Sequence, residues 1–245
     1  MTIYILLPIF NEEKNIRPLF SRIKQGMERH GLTYQIISYN DGSNDGSLRV
    51  LREITVEYPL TIIGKEVNMG LGYGLMMLFD EVLSKPVNDN DIAVILDSDN
   101  THNPEHIYQM VNKIADGFDV VIASRYLKDS RIVGVSAWRQ MLSSFASIFM
   151  RIIFPIPGVK DYTCGYRAYR VDVIRRAKKE FGDKLIEETG FACMAEFLIK
   201  LKKIGILAVE IPLVLRYDFK LGESKMQVMR TIKRTLLMIL RLRRV

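Results

Sequence analysis

The chain has 245 residues, 48% of them apolar, which is enough for a substantial core; intrinsic disorder is excluded, and a large α/β domain, with or without an appendage, is expected. Two cysteines, Cys164 and Cys193, are too few and too isolated for a disulfide framework or a zinc site, and suit a reducing compartment. The net charge of +7 is a C-terminal property: Arg230, Lys233, Arg234, Arg241, Arg243 and Arg244 lie beyond Met226 with no acid among them, and the rest of the chain is nearly neutral.

Met1-Thr-Ile-Tyr-Ile-Leu-Leu-Pro8 lacks the basic residues and apolar length of a signal peptide, and no later stretch reaches the ~18 apolar residues of a membrane span, so a cytoplasmic location is expected. Ile3 to Leu7 is a short apolar run that stops at Pro8 and leads through Phe10-Asn11-Glu12-Glu13 into a helical segment, Ile16 to Arg29. Runs of the same kind follow at Tyr34 to Tyr39, Leu60 to Ile63, Ile92 to Leu96 and Val120 to Ala123. Each reads as a buried strand, with segments of helical length between them at Leu48 to Glu57, Leu75 to Leu83 and Glu105 to Ala115. This alternation predicts an α/β fold with a mostly parallel central sheet, helices on both faces, and a ligand site outside the carboxyl ends of the strands. After Tyr126 the pattern weakens. Trp138, Met141, Leu142, Phe145, Ile148, Phe149 and Ile152 recur at helical spacing over Ala137 to Ile153, and Pro155 and Pro157 stop the helix. A short strand is expected at Thr163 to Tyr169, then helices near Val171 to Lys179 and Phe191 to Lys203, and a strand from Leu207 to Leu215. No repeat, low-complexity segment or linker divides the chain.

The run ending at Leu96 delivers Asp97 and Asp99. Two carboxylates held this close repel each other, and a divalent cation relieves the repulsion; Mg²⁺ takes one or two protein carboxylates and completes its shell with water and substrate phosphates. A helix-capping turn explains Asn103 and Pro104, but not the acidic pair. Asn40-Asp41-Gly42-Ser43-Asn44-Asp45-Gly46 has turn composition, and its place after a strand equally suits Asp41 as an acceptor for a base or ribose. Gly70-Leu-Gly72-Tyr-Gly74 superficially matches the dinucleotide fingerprint of a dehydrogenase, yet it follows the third strand and the spacing differs. Close helix approach near a diphosphate, or plain helix packing, fits it better. His102 reads as a hydrogen-bonded structural group. Arg125 and Arg139 flank an apolar segment and point to anion binding, with surface solvation as the alternative. Arg216-Tyr217-Asp218 and Lys220-Leu-Gly222-Glu-Ser224-Lys225 form a basic, Gly-hinged loop suited to closing over a diphosphate, or a simple surface turn. In the tail, Met229, Ile232, Leu236, Ile239 and Leu240 project to one side of a helix and Arg230, Lys233, Arg234, Arg241 and Arg244 to another. That is the pattern of a membrane-surface helix, or of a helix packed on the body with a solvated basic edge. Without a basic stripe elsewhere, nucleic acid is not an expected partner.

In this order and spacing, Pro8-Ile-Phe-Asn11-Glu12, Asn40 to Gly46, Asn68-Met-Gly70-Leu-Gly72, Asp97-Ser-Asp99 with His102-Asn-Pro104-Glu105, Ser124-Arg125-Tyr126, Trp138-Arg139, Asp161 with Cys164-Gly165-Tyr166-Arg167, and Gly222-Glu-Ser224-Lys225 resemble glycosyltransferase family 2 over nearly the whole chain. The branch that looks closest is the dolichyl-phosphate and polyprenyl-phosphate mannosyltransferases. The resemblance implies a GT-A catalytic domain over residues 1–225, and residues 226–245 then form the basic amphipathic helix. It implies that Pro8, Phe10, Glu12 and Asp41 line a nucleotide pocket. Asp97 and Asp99 would hold Mg²⁺ or Mn²⁺, with Asp99 the stronger ligand. Arg125 and Arg139 would hold the acceptor phosphate, and Arg216, Ser224 and Lys225 would face the donor diphosphate or the acceptor. The sequence departs from the pattern at Asn40, where an Asp is usual, at Thr101, where this branch often has Gln, and in lacking the C-terminal transmembrane helices of many relatives.

The activity so implied is inverting, metal-dependent transfer of a hexose from GDP-mannose or a UDP-hexose to a polyprenyl phosphate, at the cytoplasmic face of a membrane. A lipid phosphate is already anionic and needs no strong base. A saccharide hydroxyl, as in cell-surface polysaccharide synthesis, would need one, with Asp161 or Glu196 as candidates. A non-catalytic nucleotide-sugar-binding or scaffold protein is the alternative from another class, and the intact acidic pair argues against it.

Overall fold

The structure, a computed structural model, describes residues 1–135, 137–221 and 228–243, apart from the side chains of Ala137, Arg139, Leu142 and residues 228–230. The five apolar runs become β1 (Ile3–Ile9), β2 (Tyr34–Asp41), β3 (Leu60–Lys65), β4 (Ile92–Ile95) and β5 (Val120–Ser124), separated by α1 (Glu13–Arg29), α2 (Ser47–Ile54), α3 (Leu71–Ser84) and α4 (His106–Ala115). Then come β6 (Arg131–Val133), α5 (Ala137–Ile153), β7 (Arg167–Arg170), α6 (Val171–Phe181), α7 (Cys193–Lys203), β8 (Ala208–Pro212), β9 (Val214–Arg216) and α8 (Val228–Leu242).

Seven strands form one sheet in the order β3-β2-β1-β4-β7-β5-β8. Neighbours run parallel except β7, which is antiparallel to both β4 and β5. All of β4 and β5 is buried, which is why those runs are continuously apolar rather than alternating. This is the α/β, mostly parallel architecture the alternation predicts.

Two late expectations are corrected. The strand expected at Thr163 to Tyr169 forms only over Arg167–Arg170, because the amides of Thr163 and Cys164 bond the Asp161 carboxylate instead of a neighbouring strand. The strand expected from Leu207 to Leu215 divides. Pro212 has no N–H to extend the ladder beyond β8, and the chain turns at Leu213 to pair β9 with β6 in a separate two-stranded sheet.

The register fixes the site. Ile9 lies opposite Asn40, and Leu6 lies opposite Ile95, so the residues following β1, β2 and β4 leave the sheet at one edge.

Candidate active site

A cleft of about 540 Å³ opens at that edge. Pro8, Phe10 and Glu12 reach it from the end of β1, Tyr39 and Asp41 from β2, and Asp97 and Asp99 from the turn after β4. Six residues expected at a donor site are thus brought together: Pro8, Phe10, Glu12, Asp41, Asp97 and Asp99.

Asp41 is buried and faces the start of α3. The Met69 amide donates to its Oδ1 (2.7 Å) and the Gly70 amide to its Oδ2 (2.9 Å), which fixes the carboxylate plane at the cleft wall. Glu12 accepts from Asn15 Nδ2 (2.6 Å), while its own amide donates to Ser47 Oγ (2.8 Å). The Tyr39 hydroxyl is buried with no hydrogen-bond partner among the described residues. Burial, reinforced by Asp41 and then Tyr73, pushes its pKa up to about 12. The glycine motif is a packing device. A Cβ on Gly72 would lie 1.8 Å from the Glu188 carbonyl oxygen, and Gly70, at φ +91°, would place one 2.5 Å from that of Thr189. Only a bare backbone lets α3 approach so closely.

β4 ends at Ile95, so Asp97 and Asp99 project from a turn rather than a strand. Ser98 Oγ donates to the Pro8 carbonyl (2.9 Å) and ties that turn to β1. His102 is buried, with its Nδ1 3.4 Å from the Asp97 amide and its Nε2 3.8 Å from Asp97 Oδ2. It is the hydrogen-bonded structural group its sequence context suggests, and it braces the backbone of the turn that carries Asp97. Asp97 keeps 38% of its side-chain surface open to the cleft and is enclosed elsewhere. That enclosure pushes its carboxyl above the ordinary range, against His102 and with the like charge of Asp99. Thr101 donates through both Oγ1 (2.7 Å) and N (3.2 Å) to Asp99 Oδ1. Thr101 thus buttresses Asp99.

The other Asp99 oxygen, Oδ2, accepts from Lys220 Nζ at 2.7 Å. Burial would raise the Asp99 carboxyl, but the Lys220 ammonium overrides it and holds the group below its usual value. Hard oxygen donors with a cation already seated on one of them suit a divalent ion, and Asp97 and Asp99 fit that role.

Lys220 arrives on a docked loop. The Arg216 amide donates to the Thr101 carbonyl (3.0 Å), and the Asn15 side chain takes both the amide and the carbonyl of Leu221. Phe219 lies between the guanidinium groups of Arg22 (5.3 Å) and Arg216 (4.2 Å). Arg216 itself is paired with Asp218 (2.6 Å) and does not line the cleft. Ser224 and Lys225 lie outside the described residues.

Arg125 and Asp161 are found together, Asp161 fully buried and Arg125 partly so. Nε and Nη2 of Arg125 bond both Asp161 oxygens (2.8 and 2.7 Å), and Nη2 also reaches Thr163 Oγ1 (2.6 Å). Among the described residues Nη1 has no acceptor. Burial would raise the Asp161 carboxyl, but Arg125 and three backbone amides hold it below the usual range, which makes it a poor base. Glu196 is no better placed. It is fully buried and accepts from the Glu187 and Glu188 amides, Lys200 and Arg241. Arg139 stands in the first turn of α5, and its side chain is outside the described residues.

Lys220, from the loop expected to close over a diphosphate, lines the cleft, and so do Thr231 and Arg234, which the sequence did not single out as site residues. The last two come from α8, which packs on the body through Met238, Ile239 and Leu242. Arg234 bonds Thr189 Oγ1 (2.6 Å), and Arg241 reaches Glu188 and Glu196. The expected division of α8 into an apolar and a basic side is thus corrected: Arg234 and Arg241 face inward to buried carboxylates, and Leu236, Leu237 and Leu240 are exposed. Likewise Trp138, Phe145 and Ile152 of α5 are more than half exposed. Among the described residues no helix is long and apolar enough to cross a membrane.

The chain is 30% identical over 228 residues to the dolichol-phosphate mannosyltransferase of Pyrococcus furiosus, covering 93% of this chain and 60% of that protein. It is 25% identical to the polyprenol monophosphomannose synthase of Mycolicibacterium smegmatis, over 91% of this chain and 80% of that one. It is 26% identical to the undecaprenyl-phosphate mannosyltransferase of Micrococcus luteus, over 92% and 88%. Among solved structures, glucosyl-3-phosphoglycerate synthase from Mycobacterium tuberculosis, in complex with Mn²⁺, UDP and glucosyl-3-phosphoglycerate, superposes with a TM-score of 0.69 at 18% identity, over 98% of this chain and 78% of that one. Residues 4–177 match the profile of glycosyl transferase family 2, and with the strand-end acidic pair beside its cleft the chain belongs to that family and is a glycosyltransferase.

Proposed function

We propose that this enzyme transfers a hexosyl group, mannose first among the candidates, from a nucleotide sugar to a polyprenyl phosphate at the cytoplasmic face of a membrane, with inversion. The observation that carries the reading is the Asp97 and Asp99 pair at the cleft, with the Lys220 ammonium seated on Asp99. Three relatives named for mannosyl transfer to dolichol, polyprenol and undecaprenyl phosphates support it.

Asp97 and Asp99 would hold a divalent ion, whose charge, when bound, offsets the charge that develops on the leaving nucleoside diphosphate. Pro8, Phe10 and Glu12 enclose the nucleoside, and Asp41, locked by its two amide bonds, presents a fixed acceptor to it. Arg125 keeps Nη1 for the acceptor phosphate while Asp161 holds its guanidinium in place. A single attack on the anomeric carbon from the face opposite the leaving group inverts its configuration. The acceptor class follows from the bases. Asp161 and Glu196, the two base candidates, are both held in ion pairs, which disfavours a hydroxyl acceptor that must lose a proton to one of them, whereas a phosphate arrives already ionised. The exposed apolar side of α5 then supplies contact with lipid.

The test is product formation from GDP-mannose, UDP-glucose and UDP-GlcNAc with polyprenyl phosphate and Mg²⁺ or Mn²⁺. Transfer from one donor is expected, and no transfer from any of them rejects the reading. Asp99→Ala should lower kcat/KM by about 10²-fold or more with the fold intact, and an unchanged rate would remove the metal-holding role.

A further inference from the structure

Lys220 sits at the one oxygen of Asp99 that Thr101 leaves open. Thr101 engages Oδ1 through its hydroxyl and amide, and Lys220 Nζ holds Oδ2 at 2.7 Å. Both side chains are nearly enclosed, 11% exposed for Lys220 and 14% for Asp99. A divalent ion would reach Asp99 through Oδ2, where the ammonium already occupies one lone pair and crowds the other. Two cations on the same oxygen also repel each other.

The surroundings say what can move. On one side of Lys220, the Arg216 amide is fixed to Thr101 and Phe219 is held between two guanidinium groups. On the other, Asn15 clasps Leu221 through both backbone groups. The backbone is pinned at both flanks, and the four-carbon stem of the lysine is the mobile part. Lys220 also lines the cleft, so its ammonium has open volume to turn into, where the donor diphosphate would lie.

We propose that Lys220 is an exchangeable counter-ion: it occupies Asp99 Oδ2 until a divalent ion takes that oxygen, and its ammonium then moves to the diphosphate oxygens. This rests on the metal and donor site proposed above and adds an order to its filling. The ion alone binds against Lys220. The ion with a nucleoside diphosphate binds with its help, because the displaced charge gains a partner. The two ligands are therefore positively coupled through one side chain.

The test is Mn²⁺ binding, followed by the electron paramagnetic resonance signal of the free ion, to the full chain and to Lys220→Met, Lys220→Arg and Asp99→Asn, each with and without GDP or UDP. Without nucleotide, Lys220→Met should bind Mn²⁺ about tenfold more tightly than the unaltered protein, and Lys220→Arg should not. In the presence of Mn²⁺, Lys220→Met should bind the nucleotide about tenfold more weakly, so the coupling shrinks. Equal or weaker Mn²⁺ affinity in Lys220→Met, with Asp99→Asn still abolishing binding, overturns the exchange and leaves the metal site standing. No Mn²⁺ binding by the unaltered protein or by Lys220→Met, with or without nucleotide, overturns both.

Discussion

His106 shows how much one enclosed side chain can matter. It is buried in the first turn of α4, stands edge-on to Tyr166, and has no partner for Nδ1 among the described residues. Burial, aided by the neighbouring His102 and opposed by Glu105, lowers its pKa to about 4. The folded chain therefore holds this imidazole neutral where the unfolded chain protonates it at about 6.5. Its stabilising contribution is complete above that value and is lost as pH falls through 4. Between pH 8 and pH 5 the loss amounts to about 2 kcal/mol, which His106→Gln should remove. Urea titrations at the two pH values check this, and an equal pH dependence in both proteins would contradict it. Nothing in the sequence around His106 signals this, because the residues that enclose it, such as Tyr166, are distant in the chain. Asp41, Asp97 and Asp99 were legible for the opposite reason: each follows an apolar run, and a strand end needs no tertiary partner to be recognised. Arg125 and Asp161 were named one by one, but their pairing spans 36 positions and left no local trace.

At the scale of elements, periodicity located helices but not what covers them. α5 and α8 both form where the apolar spacing places them, and α5 turns most of its large side chains to solvent. A hydrophobic period reports a face, while the layer against that face is a property of the whole fold. The glycine motif at the start of α3 has the same lesson. Its glycines superficially matched a dinucleotide fingerprint, with close helix approach as the better reading, and Gly72 is required because the Glu188 backbone crosses there, more than a hundred residues away in sequence. Gly72→Ala should cost roughly 2 kcal/mol or more and lower Tm by several degrees, since the obstacle is backbone and cannot rotate aside. Calorimetry decides this, and an unchanged Tm would mean that the contact yields freely.

For the whole molecule, the charge excess that marked the tail is partly spent inside. Arg234 and Arg241 answer Glu187, Glu188 and Glu196, so the surface left for a membrane is more apolar and less basic than the sequence suggests. Attraction to vesicles should then depend more on side chains such as Phe145, Ile148 and Ile152 than on salt. Replacing all three with Ser should reduce co-sedimentation with anionic vesicles at least about tenfold while leaving Tm in place. Unaltered partition of the triple variant would exclude α5 as the contact.

The antiparallel β7 has a consequence for how such a chain is made. β1 to β4 can pair from the first 95 residues, and β5 pairs with β8 far downstream, but the two groups share no ladder until Arg167–Arg170 enters between them. A ribosome that has exported only the residues before Arg167 presents β4 with an open edge, next to the carboxylates it is to carry. Synthesis slowed at that stage should favour edge-to-edge association of nascent chains, and completion of β7 ends the exposure.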